Sequence, residues 1–323
     1  MPHDNIGPAS FTSVRCAYTE CGVQKFSCQC VLPARATLGE GACWFPDEQQ
    51  LYWVDILKCE VHRFDPSTGR DEVRNTPCHV SMVQPTTRGD LVLATRDGIA
   101  RMDFESGSFS VLCDPEANIP GNRFNDGKAD PRGRLFAGTI AYDGTDKKAA
   151  LWRIEADLSF TKLVDHVGNS NGLGWSPDQK TFYWTDTKTG CVFAFDYDAG
   201  SGDIANRRVV VEVDKSIGRP DGLTVDAEGF LWTALWAGHG VARWNPANGE
   251  MVAKVDCPAA NCTCPAFGGK DLDILYFTTA QKGREEAEPS PEPEAGNLFA
   301  AKVGVRGLAG FAFAPARMSG KTF

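Results

Sequence analysis

The chain has 323 residues, 42% of them hydrophobic, with a formal net charge of −9 and 33 glycines. That acidity repels a phosphate backbone and no basic cluster interrupts it, which excludes nucleic acid as a partner. No apolar run approaches the ~18 residues of a membrane span, and MPHDNIGPASFTSVRC lacks the apolar stretch of a secretory leader. A cytoplasmic protein with no membrane contact is expected.

In chain order, an extension over residues 1–23 carries Cys16 and Cys21 and is expected to be poorly ordered. Beyond it, hydrophobic strands begin at Leu51, Leu91, Leu135, Phe182, Leu231 and Leu275. The spacing is roughly 45 residues, a period with several strands per unit that marks a propeller. Each strand follows a turn element (PDEQ, TTRG, DPRG, SPDQ, DAEG, GGKD) and precedes a second alternating strand, the hairpin pattern. Another strand lies upstream of each turn, and no stretch shows sustained helical periodicity. The prediction is an all-β, six-bladed β-propeller over residues 24–323. Its blades have four antiparallel strands around a central channel, and 24–31 closes the last blade.

Ten or eleven residues before these points, at about the start of each innermost strand, stand Glu40, Ser81, Asn125, Asn171, Asp221 and Cys264. A bare scaffold needs only small or apolar residues at its axis. This ring instead holds two carboxylates and two carboxamides, oxygen donors that suit a hard divalent cation. Each has a plainer reading: Asn-Gly is a strong turn signal and a lone Glu is usually solvated. Asp126 of N-D-G is expected to fix its loop. Of the cysteines, Cys43, Cys59 and Cys191 fall in strand patterns as small hydrophobes, and no paired C-x₂-C spacing calls for zinc.

Inner and second strands run antiparallel, so loops after the second strand rim the same mouth as the ring. They are short except for AYDGTDKKAA, which contains Asp143, and the acidic, Pro-rich 281–296 segment, a candidate lid. Trp236 and His239 belong to the fifth unit's loop at that mouth. No G-x-S-x-G marks a serine nucleophile.

The motifs LGEGACW, NRFNDGKADPRGRLFAGT, SNGLGWSPDQKTFYWTD, RPDGLTVDAEGFLWTALW and FGGKDLDILYFTTA occur together and in order. In them the chain resembles the gluconolactonase family, which includes regucalcin (senescence marker protein), bacterial sugar-acid lactonases and luciferin-regenerating enzyme. The resemblance implies one divalent metal held by Glu40, Asn171 and Asp221, with Arg123, Asn125 and Asp143 near the substrate. Departures are Ala42, where many members have Pro, Asp143, where mammalian members have Glu, and the N-terminal extension.

The expected activity is metal-dependent hydrolysis of a small-molecule sugar lactone to the aldonic acid, with Asp221 also activating water. Ca²⁺, Mn²⁺, Mg²⁺, Zn²⁺ and Fe²⁺ all stay open as the cofactor. The alternatives are a phosphotriesterase-like or other ester hydrolase on the same fold, and a calcium-binding regulatory protein without catalysis. Oligomeric state is left unassigned.

Overall fold

The computed structural model describes residues 17–18, 22–281 and 292–316. Cys16, Cys21, nearly all of the 1–23 extension and residues 282–291 of the candidate lid lie outside the described residues.

Six blades form a ring, a six-bladed β-propeller with almost no helix. The first blade shows the pattern: Gly39–Phe45 innermost, then Gln50–Asp55, Glu60–Asp65 and Arg70–Asn75, antiparallel throughout. The inner strands of the others are Val80–Pro85, Asn122–Ala129, Ser170–Trp175, Arg219–Val225 and Cys262–Gly268. Second strands are buried on both faces because each blade packs its neighbours. For this reason they read as near-continuous runs such as LVLAT and LWTALW rather than as polar–apolar alternation. The core therefore lies between blades, where Trp53, Trp184, Trp232 and Phe136 are fully buried.

The stretch expected to close the last blade divides. Gln29–Leu32 pairs antiparallel with Leu298–Lys302 as the outer strand of the sixth blade. Gln24–Ser27 instead runs parallel to Met251–Asp256 at the outer edge of the fifth. The step from one blade to the next falls at Cys28, between Ser27, paired with Asp256, and Gln29, paired with Ala300.

After the last blade strand the chain crosses the far face of the disc. Its bridges are Gly307 with Asp226 of the fifth blade and Phe313 with Thr86 of the second. Residues 308–311 meet the ends of all six inner strands, including Trp44, Gln84, Lys128, Trp175, Val225 and Phe267, around a cavity of about 80 Å³. The strand starts lie at the opposite mouth. Among the described residues no helix is long and apolar enough to cross a membrane, and the described cysteines are free.

Candidate functional site

Each inner strand breaks its ladder to the second strand where the polar ring sits. Register skips between Glu40 and Cys43, Val80 and Met82, Phe124 and Gly127, Asn171 and Leu173, Pro220 and Leu223, and Cys262 and Pro265. A bulge releases a residue from the ladder, bends the strand and re-aims its side chain. Six bulges at one height thus free the strand starts to meet one another.

A glycine directly follows three ring positions, Glu40, Asn171 and Asp221, and lets neighbouring inner strands close. A Cβ on Gly172 would lie 2.5 Å from Leu223 Cβ and 2.7 Å from the Asp221 carbonyl oxygen. On Gly222 it would lie 2.6 Å from the Thr263 carbonyl oxygen. The S-N-G and P-D-G motifs are therefore close-approach sites within strands, although the same pairs signal turns elsewhere.

The charges at this level are buried and of mixed sign. Burial pushes the Glu40 carboxyl well above the usual carboxylate range, and the charges of Asp221 and Asp126 push it further, against Arg123 and the Gly41 amide. Asp221 is raised in the same way, by burial and then by Asp126. Asp126 is also raised by burial, opposed by Lys128 and by the Gly127 N–H that its Oδ1 accepts at 2.7 Å. Arg123 is lowered by burial, with Tyr142, Glu40 and Asp221 opposing. Asp221 Oδ1 is buried with no hydrogen-bond partner.

A chain of hydrogen bonds ties the substrate candidates to the metal candidates. Arg123 Nη1 donates to Asn125 Oδ1 and to the Phe124 carbonyl, both at 2.8 Å. Asn125 Nδ2 donates to the Ser170 carbonyl at 2.9 Å, Asn171 Oδ1 at 3.0 Å and Asn169 Oδ1 at 3.1 Å. Asn171 Nδ2 donates to Thr187 Oγ1 at 2.9 Å, and that hydroxyl donates to the Pro220 carbonyl at 2.7 Å. Both Asn side chains are thus held in one orientation, and an amide oxygen keeps a second lone pair for a ligand.

This donor set fits a hard divalent cation. Two carboxylates are buried, the charge of Asp221 adding to the rise of Glu40, one oxygen of Asp221 is orphaned, and a neutral carboxamide oxygen is fixed near them. Among the described residues no three His, Cys, Asp or Glu side chains gather as a metal cluster. The third donor here is an Asn, outside that definition. The other two ring members look elsewhere: Ser81 Oγ donates to the carbonyls of Ala94 and Phe124, and Cys264 is a buried thiol facing the Ala42 carbonyl.

Asp143 stands outside this group. Its exposed carboxylate accepts from the Thr145 N–H at 2.8 Å and pairs with Lys148 at 3.5 Å, all within its own loop. His239 is exposed at positive φ, while Trp236 packs on the core beneath the rim. Residues missed at the sequence level are Asn169, Thr187 and Tyr142. The Tyr142 ring lies 5.9 Å from the Arg123 guanidinium, and its hydroxyl meets His79 Nδ1 at 2.7 Å. All three sit in connections outside the strand repeat, where its spacing carries no signal.

Comparison with known proteins bears on the same region. The model for the SMP-30/Gluconolactonase/LRE-like region matches residues 38–281. A Bacillus subtilis (strain 168) protein, YvrE, named as a candidate sugar lactone lactonase, is 38% identical over 87% of this chain and 96% of its own. Homo sapiens regucalcin is 36% identical over 88% and 98%. Among solved structures, a calcium-binding protein, regucalcin from Agrobacterium tumefaciens str. C58, superposes with a TM-score of 0.85 at 28% identity, covering 90% of this chain and 98% of that one.

Proposed function

The chain belongs to the SMP-30/gluconolactonase/LRE-like family, and on that premise we propose that it hydrolyses a sugar lactone to the aldonic acid in the channel mouth. The observation that carries the reading is the hydrogen-bonded chain Arg123, Asn125, Asn171, which ends beside the buried Glu40 and Asp221. A divalent cation held by Glu40, Asn171 and Asp221 would supply Lewis-acid polarisation of the lactone carbonyl.

The chain's own side chains carry the remaining tasks. Asp221 accepts the proton of the attacking water at Oδ1, the oxygen with no internal partner. Arg123 spends its Nη1 amino group on Asn125 and the Phe124 carbonyl, leaving Nη2 and Nε of its guanidinium fork for substrate oxygens. Asn125, fixed by three acceptors, holds both Arg123 and Asn171 in position, so substrate and cation sites share one rigid element. Asp143 contacts sugar hydroxyls only when its loop bonds to Thr145 and Lys148 open.

A pH-indicator assay over glucono-, galactono-, xylono- and arabinono-lactones with a metal panel tests the reading. Rate above the spontaneous background, lost in Asp221→Ala and Glu40→Ala, supports it. Metal-loaded protein that leaves every lactone untouched would favour a non-catalytic calcium-binding protein. Organophosphate turnover without lactone turnover would favour an ester hydrolase of the phosphotriesterase type.

A further inference from the structure

A second cavity opens on the ring side of the disc, between the second and third blades. It measures about 460 Å³ and its walls include Arg96, Asp97, Asp114, Ile119, Asn122 and Arg123. Arg123 is the wall it shares with the channel ring; Glu40, Asn171 and Asp221 are not among its lining residues. The space is therefore additional to that of a lactone ring held over the buried carboxylates.

We infer that this cavity is a subsite for a second sugar unit, so that the preferred substrates are lactones of disaccharide aldonic acids. The inference rests on the lactone-hydrolase reading above and names its substrate class. Size is the first argument. A cavity of about 150 Å³ encloses one benzene-sized ring of six carbon atoms. This one is about three times larger, room for a hexose unit with its hydroxyls.

Chemistry is the second argument. Arg96 and Arg123 are matched by Asp97, Asp114 and the buried Glu116, so the walls carry no excess positive charge for a phosphate or other anion. What remains is a mixture of donors and acceptors over an Ile119 and Phe124 surface, which suits a neutral polyol with an apolar C–H face.

The cavity is also preformed. Glu116 fixes the 114–121 connection by accepting from Asn122 Nδ2 at 2.7 Å and from Thr139 Oγ1 and Trp152 Nε1 at 2.9 Å. Ile119 joins this frame only through its backbone, its N–H donating to the Glu116 carbonyl at 2.7 Å and its carbonyl accepting from the Asn122 N–H at 3.0 Å, so the apolar side chains of Ile119 and Ala117 can be enlarged without removing a hydrogen bond.

The test compares cellobiono-1,5-lactone and lactobiono-1,5-lactone with glucono-1,5-lactone, all corrected for spontaneous hydrolysis. The wild-type kcat/KM is expected to favour the disaccharide lactones by about tenfold or more. Ile119→Trp and, independently, Ala117→Trp fill the cavity. Each should lower the disaccharide kcat/KM by about tenfold, mainly through KM, while glucono-lactone turnover stays within about twofold. If glucono-lactone is hydrolysed but the disaccharides are not preferred, the subsite is wrong and the lactonase reading stands. Parallel losses on both lactone classes in the folded variants also overturn the subsite. No hydrolysis of any lactone sinks both readings.

Discussion

Gly172→Ala probes how tightly the site is built into the ring. A Cβ there would meet Leu223 Cβ at 2.5 Å, and the Leu223 nitrogen and Asp221 carbonyl oxygen at 2.7 Å. Ordinary contact begins near 3.4 Å, so the inner strand of the fifth blade has to retreat by roughly 1 Å. Two of the three atoms are backbone, which rules out relief by a rotamer change. Asp221 moves with its own carbonyl, away from Asn171 and Glu40. A misplacement of about 1 Å in a positioned catalytic group costs about 100-fold, or ~2.7 kcal/mol of transition-state stabilisation. Overpacking costs a further ~1–3 kcal/mol of fold stability, read as a fall of several degrees in Tm. The assay is lactone kcat together with thermal unfolding, with Gly310→Ala as control, since nothing lies within 4 Å of a Cβ there. Full kcat and an unchanged Tm in Gly172→Ala would refute the close-approach account of the S-N-G motif.

Asn125→Ala removes the donor that holds Asn171 and the acceptor that holds Arg123. Activity should drop by about 10–100-fold with a smaller change in Tm, and a loss confined to stability would contradict the positioning role. Glu116→Ala strips the shared acceptor from Asn122, Thr139 and Trp152; differential scanning calorimetry should record about 3 kcal/mol or more of destabilisation, since buried donors are left unpaired. Asp143→Ala, whose exposed carboxylate bonds only its own loop, should change kcat/KM by less than about threefold, and a 100-fold loss would show that the loop refolds over the substrate. The raised carboxyls give a pH signature in chelated protein. Above about pH 4 the unfolded chain has released protons that Glu40 and Asp221 retain when folded, so stability falls as pH rises through the window up to their raised values. Melting curves should show that fall, and saturating divalent cation should abolish it; a stability that rises with pH in chelator would contradict the assignment.

Much of the fold was legible because blade repetition writes the same strand–turn–strand pattern six times, and LYWVD, LVLAT, LFAGT, FYWTD, LWTAL and LYFTT all became second strands. The polar ring was legible for the same reason, as equivalent positions with unequal chemistry. The six bulges were not, because a period-two pattern carries no mark of a skipped residue in such short strands. Nor was the role of Gly172 or Gly222, since Asn-Gly and Asp-Gly look alike whether they turn a hairpin or admit a neighbouring strand. The 24–31 stretch was read as one strand, yet Ser27 to Gln29 carries the chain between blades. The 114–121 connection, with the cavity it forms, lies between repeats and drops out of any alignment built on strands.

The central claim is that one cation in the ring of Glu40, Asn171 and Asp221 is required for lactone hydrolysis. Titrating divalent cations into chelated protein while following glucono-lactone hydrolysis tests it most directly. The account predicts that activity is lost on chelation and returns in proportion to metal up to one equivalent per chain, with no return in Asp221→Asn. Full lactone turnover by chelated protein, or equal metal-dependent recovery in Asp221→Asn, would contradict it.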